Sequence, residues 1–158
     1  MKGLAMYAMP LTDDCLEPFA TRLRAHPGER TVYPVVTEPG DSPGKPVFSI
    51  MTHAPVEGDI VVTKLERHPH TSQSFLALNS DRWLVIVAPT KADGDPDVDK
   101  AMAFIAGSGD AICFHRNVWH APLTVLGRPA DMAMMMWKVD SGDDNAFYDL
   151  PKPLVVTV

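Results

Sequence analysis

No apolar run in the 158-residue chain approaches the roughly 20 residues that a membrane-spanning helix needs, so no membrane partner is expected. Positive charge is also scarce. Against 20 Asp and Glu stand 14 Lys and Arg, a net charge of −6, and such a chain lacks the basic surface that neutralises nucleic-acid phosphates. Nucleic acid is therefore not an expected partner. Only two cysteines occur, Cys15 and Cys113, in unrelated segments and outside any metal-type Cys-x-x-Cys spacing. That pattern points to reduced thiols in a cytoplasmic protein. Internal repeats and low-complexity tracts are lacking. The apolar stretch Met1–Pro10 is followed at once by polar Thr12-Asp13-Asp14, with no small-residue cleavage site, and reads as a first strand rather than a signal peptide.

What is present suits one globular domain spanning residues 1–158. Hydrophobic residues make up 46% and charged residues 22%, enough apolar material to argue against disorder. Fifteen prolines and ten glycines are scattered through the chain instead of gathering in a linker. Between them lie short runs rich in valine, isoleucine, methionine and aromatics. The candidate strands are Thr31–Val36, Pro46–His53, Asp59–His68, Gln73–Leu78, Arg82–Ala88, Ala111–His115, Pro122–Leu126 and Asp131–Val139. Turn-forming clusters at Glu38–Gly44 and Asn79–Asp81 separate them. Many short strands imply an all-β antiparallel sandwich or barrel. Two peripheral helices are expected. One starts after Thr12 and is cut short by Pro18; the other runs from Asp95 through Val98, Ala101, Met102 and Ile105 to a stop at Gly107.

Histidines concentrate in two places. In Lys64-Leu65-Glu66-Arg67-His68-Pro69-His70 alternate side chains share a face, so Lys64, Glu66, His68 and His70 project together. Ile60 and Val62 continue the same alternation, which suggests that this face points inward. Gln73 follows after a short turn and can return to the same point from the neighbouring strand. The second cluster is Phe114-His115-Arg116-Asn117-Val118-Trp119-His120-Ala121-Pro122.

These two clusters resemble the paired motifs of the cupin superfamily of small β-barrels: His-x-His followed by an acidic residue, then a single histidine after a turn. By that resemblance His68, His70 and His120 occupy the histidine positions and Gln73 the acidic one. Asn117 stands at the usual turn glycine, and asparagine tolerates a left-handed backbone. More narrowly, Leu65–Pro69 with Ser72–Phe75, and His115–Leu123, resemble the signature of the ureidoglycolate lyase family, long described as ureidoglycolate hydrolases. The resemblance implies a cupin-type antiparallel β-barrel or jelly roll in a homodimer. It implies a carbon–nitrogen lyase that splits ureidoglycolate into glyoxylate and urea during allantoin and purine degradation. The chain departs from the family pattern at Met136-Trp137-Lys138 and returns to it near Gly142–Asn145. A related cupin enzyme, or a non-catalytic cupin binding another small hydroxy- or ureido-acid, is the alternative.

Ureidoglycolate carries a hydroxyl, a carboxylate and a ureido nitrogen on one carbon. Its cleavage needs a base for the hydroxyl proton, an acid for the departing nitrogen and a cation for the carboxylate. The expected catalytic residues are Glu66, His68 and His120. Substrate contacts are assigned to Lys64, Arg116 and Trp119, with Lys64 or Arg116 on the carboxylate. A divalent metal among nickel, zinc, copper or iron(II) is expected on His68, His70, Gln73 and His120, or else the histidines act without one. Met132, Met134, Met135 and Met136 read as core packing on both faces of a strand, which favours a covering partner subunit.

Overall fold

The run Trp83-Leu84-Val85-Ile86-Val87-Ala88 is apolar at successive positions, and a strand with that pattern must be covered on both faces. The computed structural model, which describes residues 3–39 and 41–158, shows how. In chain order the elements are β1 (Leu4–Pro10), α1 (Asp13–Leu16), β2 (Ala20–Leu23), β3 (Gly44–His53), β4 (Ile60–Arg67), β5 (Gln73–Ala77) and β6 (Arg82–Ala88). Then follow β7 (Met102–Gly107), β8 (Ala111–Phe114), β9 (Trp119–His120), β10 (Thr124–Leu126), β11 (Ala130–Val139) and β12 (Ala146–Thr157). Residues Met1 and Lys2 of the expected first strand, and Gly40 of the expected turn, lie outside the described residues.

Two sheets form. One has the order β10-β6-β7-β1-β12-β4-β9, and the other β2-β8-β5-β11-β3. The short β9 also pairs with β6, so β6, β7, β1, β12, β4 and β9 close into a ring. Ile60, Val62 and Leu65 of β4, Leu84 and Ile86 of β6, Ala103 of β7, Trp119 of β9, and Leu154 and Val156 of β12 join one buried cluster inside it. On the other side of β6 and β7, Trp83, Val85, Val87, Phe104 and Ala106 pack with Ile112 and Phe114 of β8 and Met132 of β11. Strand β6 thus serves two cores, odd residues to one and even residues to the other. The expected all-β barrel is the architecture of the chain.

Several expectations need correcting. The helix proposed over Asp95–Gly107 does not form: Val98–Lys100 is a single 3₁₀ turn and Met102–Gly107 is β7. Its residues satisfy a helical spacing, yet Phe104 and Ala106 face one core while Ala103 and Ile105 face the other. Tertiary burial on both sides overrides the local pattern. The strand proposed over Thr31–Val36 is instead a 3₁₀ turn at Pro34–Thr37, because Pro34 has a fixed φ and no N–H for a ladder. The sheets are not wholly antiparallel either, since β1 runs parallel to both β12 and β7. Strands β2, β9 and β12 were not anticipated. In β12, Pro151 and Pro153 disguise a 12-residue strand, and its register against β4 shifts between Asp149 and Leu154 to accommodate them. The first helix is the short α1, followed closely by Pro18 as expected.

The wall shared by the two cores sets stability. Phe104 is fully buried in it, so Phe104→Ala is expected to cost about 3–5 kcal/mol in urea unfolding. A variant that unfolds within about 1 kcal/mol of the parent would contradict the two-core packing.

Candidate active site

Strand β4 changes phase along its length. Ile60, Val62 and Leu65 all face the ring interior, a spacing that regular alternation does not allow. The slip coincides with the register shift of β12 opposite. Ile60 and Val62 therefore do not continue the face of Glu66 and His68, as the unbroken alternation suggested. Glu66 and His68 turn instead into the space between the ring and the five-stranded sheet, where they line a cavity of about 340 Å³. Gln73, Met134, Met136, Lys138, Asp144 and Phe147 are among its other walls.

The second cluster arrives through a tight turn. Asn117 adopts a left-handed backbone, φ 64°, and its N–H donates to the His68 carbonyl at 2.8 Å. Two residues on, β9 pairs with both neighbours, with His120 directly opposite Glu66 on β4 and Val87 on β6. The His120 ring is buried, stacked on Phe114 with centroids 4.3 Å apart and planes 16° from parallel. Its Nε2 lies 3.6 Å from Glu66 Oε1 and 3.2 Å from Gln73 Oε1. The His68 and His120 rings are 5.5 Å apart. Ligating atoms of Glu66, His68 and His120 all fall within 4.8 Å of one another.

Both imidazoles are oriented from behind. His68 Nδ1 is 2.9 Å from the Asp144 carbonyl, and His120 Nδ1 is 2.9 Å from the Val118 carbonyl. A carbonyl only accepts, so each Nδ1 carries the hydrogen. His68 Nε2 is left with its lone pair, whereas His120 Nε2 faces two acceptors, Gln73 Oε1 and Glu66 Oε1, and bonds to them only as a donor. His68 Nε2 is buried with no hydrogen-bond partner among the described residues. The close His120 imidazole holds the Glu66 carboxyl below the ordinary carboxylate range; burial opposes this, and the charges of His120 and His68 add to it. The result is an ionised carboxylate beside two imidazole Nε2 atoms, a place for a proton or a cation.

The remaining expected site residues lie elsewhere. His70 does not join the cluster; the chain turns after His68, and the His70 N–H donates to Asp144 Oδ1 at 2.7 Å. Lys64 shares a face with Glu66 but ion-pairs with Asp149 at 3.4 Å and lies over the Phe147 ring, outside the lining residues. Arg116 pairs with Asp41 at 2.9 Å and donates to the Pro39 carbonyl, tying down the loop before β3. Trp119 occupies the ring interior on the opposite face of β9 from His120. Its indole N–H donates to the Gly94 carbonyl, and the Arg67 guanidinium lies 4.4 Å over the ring. Of the methionines, Met132 is core, whereas Met134 and Met136 face the cavity.

Two contributors were missed at the level of sequence, Asp144 and Lys138. Asp144 is buried, accepts from the His70 N–H and the Thr71 hydroxyl, and offers its carbonyl to His68. The return of the family pattern at Gly142–Asn145 was the available signal. Asp144→Ala leaves two buried donors unpaired and is expected to cost about 2–4 kcal/mol, with Asp144→Asn milder. Unfolding of the alanine variant at the parent's urea midpoint would show that this carboxylate does not brace the His68 turn.

Comparison with known proteins agrees with the geometry. The profile of the ureidoglycolate lyase family matches residues 5–157. A putative ureidoglycolate lyase of Agrobacterium fabrum is 30% identical over 152 residues, covering 96% of this chain and 94% of that protein. A ureidoglycolate lyase of Chelativorans sp. is 30% identical, with 92% of each chain covered. The Schizosaccharomyces pombe ureidoglycolate lyase is 28% identical, covering 92% of this chain and 91% of its own length. With the match spanning nearly every described residue, and His68 and His120 of the two clusters brought together beside Glu66, the chain belongs to the ureidoglycolate lyase family.

Proposed function

We propose that this protein is a ureidoglycolate lyase, cleaving ureidoglycolate to glyoxylate and urea in allantoin and purine degradation. The observation that carries the reading is the convergence of Glu66, His68 and buried His120 within 4.8 Å, at the wall of the cavity that Glu66 and His68 line, in a chain of this family. The reaction moves one proton from the substrate hydroxyl to the departing ureido nitrogen while the carbon–nitrogen bond breaks and a carbonyl forms. Glu66 is ionised and acts as the acceptor of the hydroxyl proton. His120, bearing a proton on Nε2, delivers it to the nitrogen of urea as that nitrogen leaves. The 3.6 Å between the two groups then lets the proton pass from Glu66 to His120, which restores the starting state. His68, held by Asp144, hydrogen-bonds the substrate oxygen, and the apolar walls at Met134 and Met136 limit water.

The same residues fit a divalent metal. His68 Nε2 is buried without a partner among the described residues, both imidazoles have Nδ1 fixed on backbone carbonyls, and Glu66 supplies negative charge. Glu66, His68 and His120 are the candidate ligands, with Glu66 standing where His70 was expected and Gln73 adjacent. Two imidazoles and one carboxylate suit iron(II), zinc or nickel. When bound, such an ion supplies Lewis-acid polarisation of the substrate oxygens.

A homodimer also fits the surface. Phe48 and Ile50 of edge strand β3 are 60% and 59% exposed on the face away from the cavity, and a second subunit would cover them.

Incubation with racemic ureidoglycolate is expected to release urea and glyoxylate in equal amounts, and His120→Ala to lower the rate by about 10²–10⁴-fold. Ammonia in place of urea, or an unimpaired His120→Ala variant, would overturn the assignment. Loaded with iron(II), zinc or nickel and then dialysed, the parent is expected to retain about one equivalent of ion by elemental analysis. His68→Ala should retain little; equal retention by both proteins would place any bound ion elsewhere.

A further inference from the structure

Among the residues lining the cavity, Lys138 is the cation that remains once Lys64 and Arg116 are placed outside it. It sits on β11, where Met134, Met136 and Lys138 occupy the same face at alternate positions. Met136 is opposite Gln73 in the β5 register, and its sulfur lies 3.8 Å from Gln73 Nε2. Since a strand rises about 3.3 Å per residue, the Lys138 backbone stands about 7 Å beyond Gln73, at the rim of the cavity. Lys138 is exposed there, and its flexible four-carbon stem lines the cavity mouth.

A second observation concerns its neighbour. Lys138 is directly opposite Lys45 in the β11–β3 ladder, so two ammonium groups share one face of adjacent strands. Neither has a carboxylate within 4.0 Å among the described residues, whereas Lys64, Lys91 and Lys100 each do. Like charges placed directly across a ladder repel, and among the described residues no carboxylate pairs with either at close range. The cavity therefore has two poles, Glu66 and His68 with His120 behind them, and a cationic rim at Lys138 with Lys45 beside it.

We propose that Lys138, supported by Lys45, binds the carboxylate of the substrate and fixes its orientation with the hydroxyl and ureido groups toward Glu66 and His120. The assignment rests on the lyase reading above and makes the site selective for small α-hydroxy or α-oxo monocarboxylates. It relocates the role first given to Lys64 or Arg116 to the segment where the chain departs from its family's usual pattern. Lys138 touches the substrate but takes no part in proton transfer, so its loss acts on binding.

The test compares Lys138→Met and Lys138→Arg with the parent, using steady-state kinetics and calorimetric binding of glyoxylate. Lys138→Met is expected to raise KM by about 10–100-fold while kcat changes by less than about threefold, as for loss of a charge-assisted hydrogen bond to a ground-state anion. Lys138→Arg should recover most of the affinity. Glyoxylate binding should weaken by the same factor in Lys138→Met, and binding of glycolaldehyde, which lacks the carboxylate, should not change. An unchanged KM, or a kcat loss without a KM effect, overturns the proposal. If the parent shows no lyase activity, glyoxylate affinity decides alone: weaker binding by Lys138→Met supports the rim assignment although the lyase reading has failed. Equal affinities, or no binding by the parent, overturn it.

Discussion

Everything at the site depends on a two-residue strand. Trp119–His120 is the piece that closes the ring, pairing with β4 on one edge and β6 on the other. The same pairing sets His120 opposite Glu66, so closure of the barrel and assembly of the acid–base pair are one event. A strand this short has little stability of its own. It is held by the left-handed turn at Asn117, by the Asn117 N–H on the His68 carbonyl, by the Ala121 N–H on the Ile86 carbonyl, and by Phe114 stacked on the imidazole. Trp119 anchors the opposite face in the ring core and bonds to Gly94. The tryptophan is thus indispensable to the site without entering it.

The electrostatics follow from the backbone. A buried imidazole with its Nδ1–H committed to a carbonyl turns only Nε2 toward its neighbours in the site, and this holds for both His68 and His120. His120 Nε2 faces the acceptor oxygens of Gln73 and Glu66, and His68 Nε2 has no partner among the described residues. The cluster is incomplete until something positive joins it, whether a proton shared between Glu66 and His120 or a divalent ion. Acid–base chemistry and metal binding are therefore two uses of one electronic demand, not rival architectures. Asp144 is the common support: its carboxylate fixes the turn after β4 while its carbonyl fixes the His68 tautomer.

Much of this was readable in the residues, though unevenly. Strand Arg82–Ala88 was legible to the residue because continuous apolar character bounded by turns has few other readings. The pairing of the two histidine clusters was legible through motif spacing. What could not be read was phase. Alternation from Ile60 gave the correct face for Lys64, Glu66 and His68 relative to one another but the wrong relation to Ile60 and Val62, because the slip is imposed by the distant prolines of β12. Phe104 and its neighbours satisfied a helical spacing that only tertiary burial on two sides could overrule. Arg116 and Lys64 looked like free cations, but their partners Asp41 and Asp149 come from segments remote in the chain. Lys138 was quoted only as part of an anomaly. Its meaning depends on the β11 register, which brings Lys45 alongside and Met136 against Gln73.

The division of labour between strands explains how such a site can vary. The proton-handling groups come from β4 and β9, which are locked by ring closure, and a change there disturbs the barrel itself. The wall and rim come from β11, where Met134, Met136 and Lys138 project from one face into open cavity rather than into close-packed core. Substitution at those positions alters what the cavity holds while leaving the tautomer-fixing hydrogen bonds of His68 and His120 in place. A change at Met136 or Lys138 therefore bears on recognition rather than on bond cleavage. The rim cation at Lys138 lies where the fold tolerates such change with least effect on catalysis.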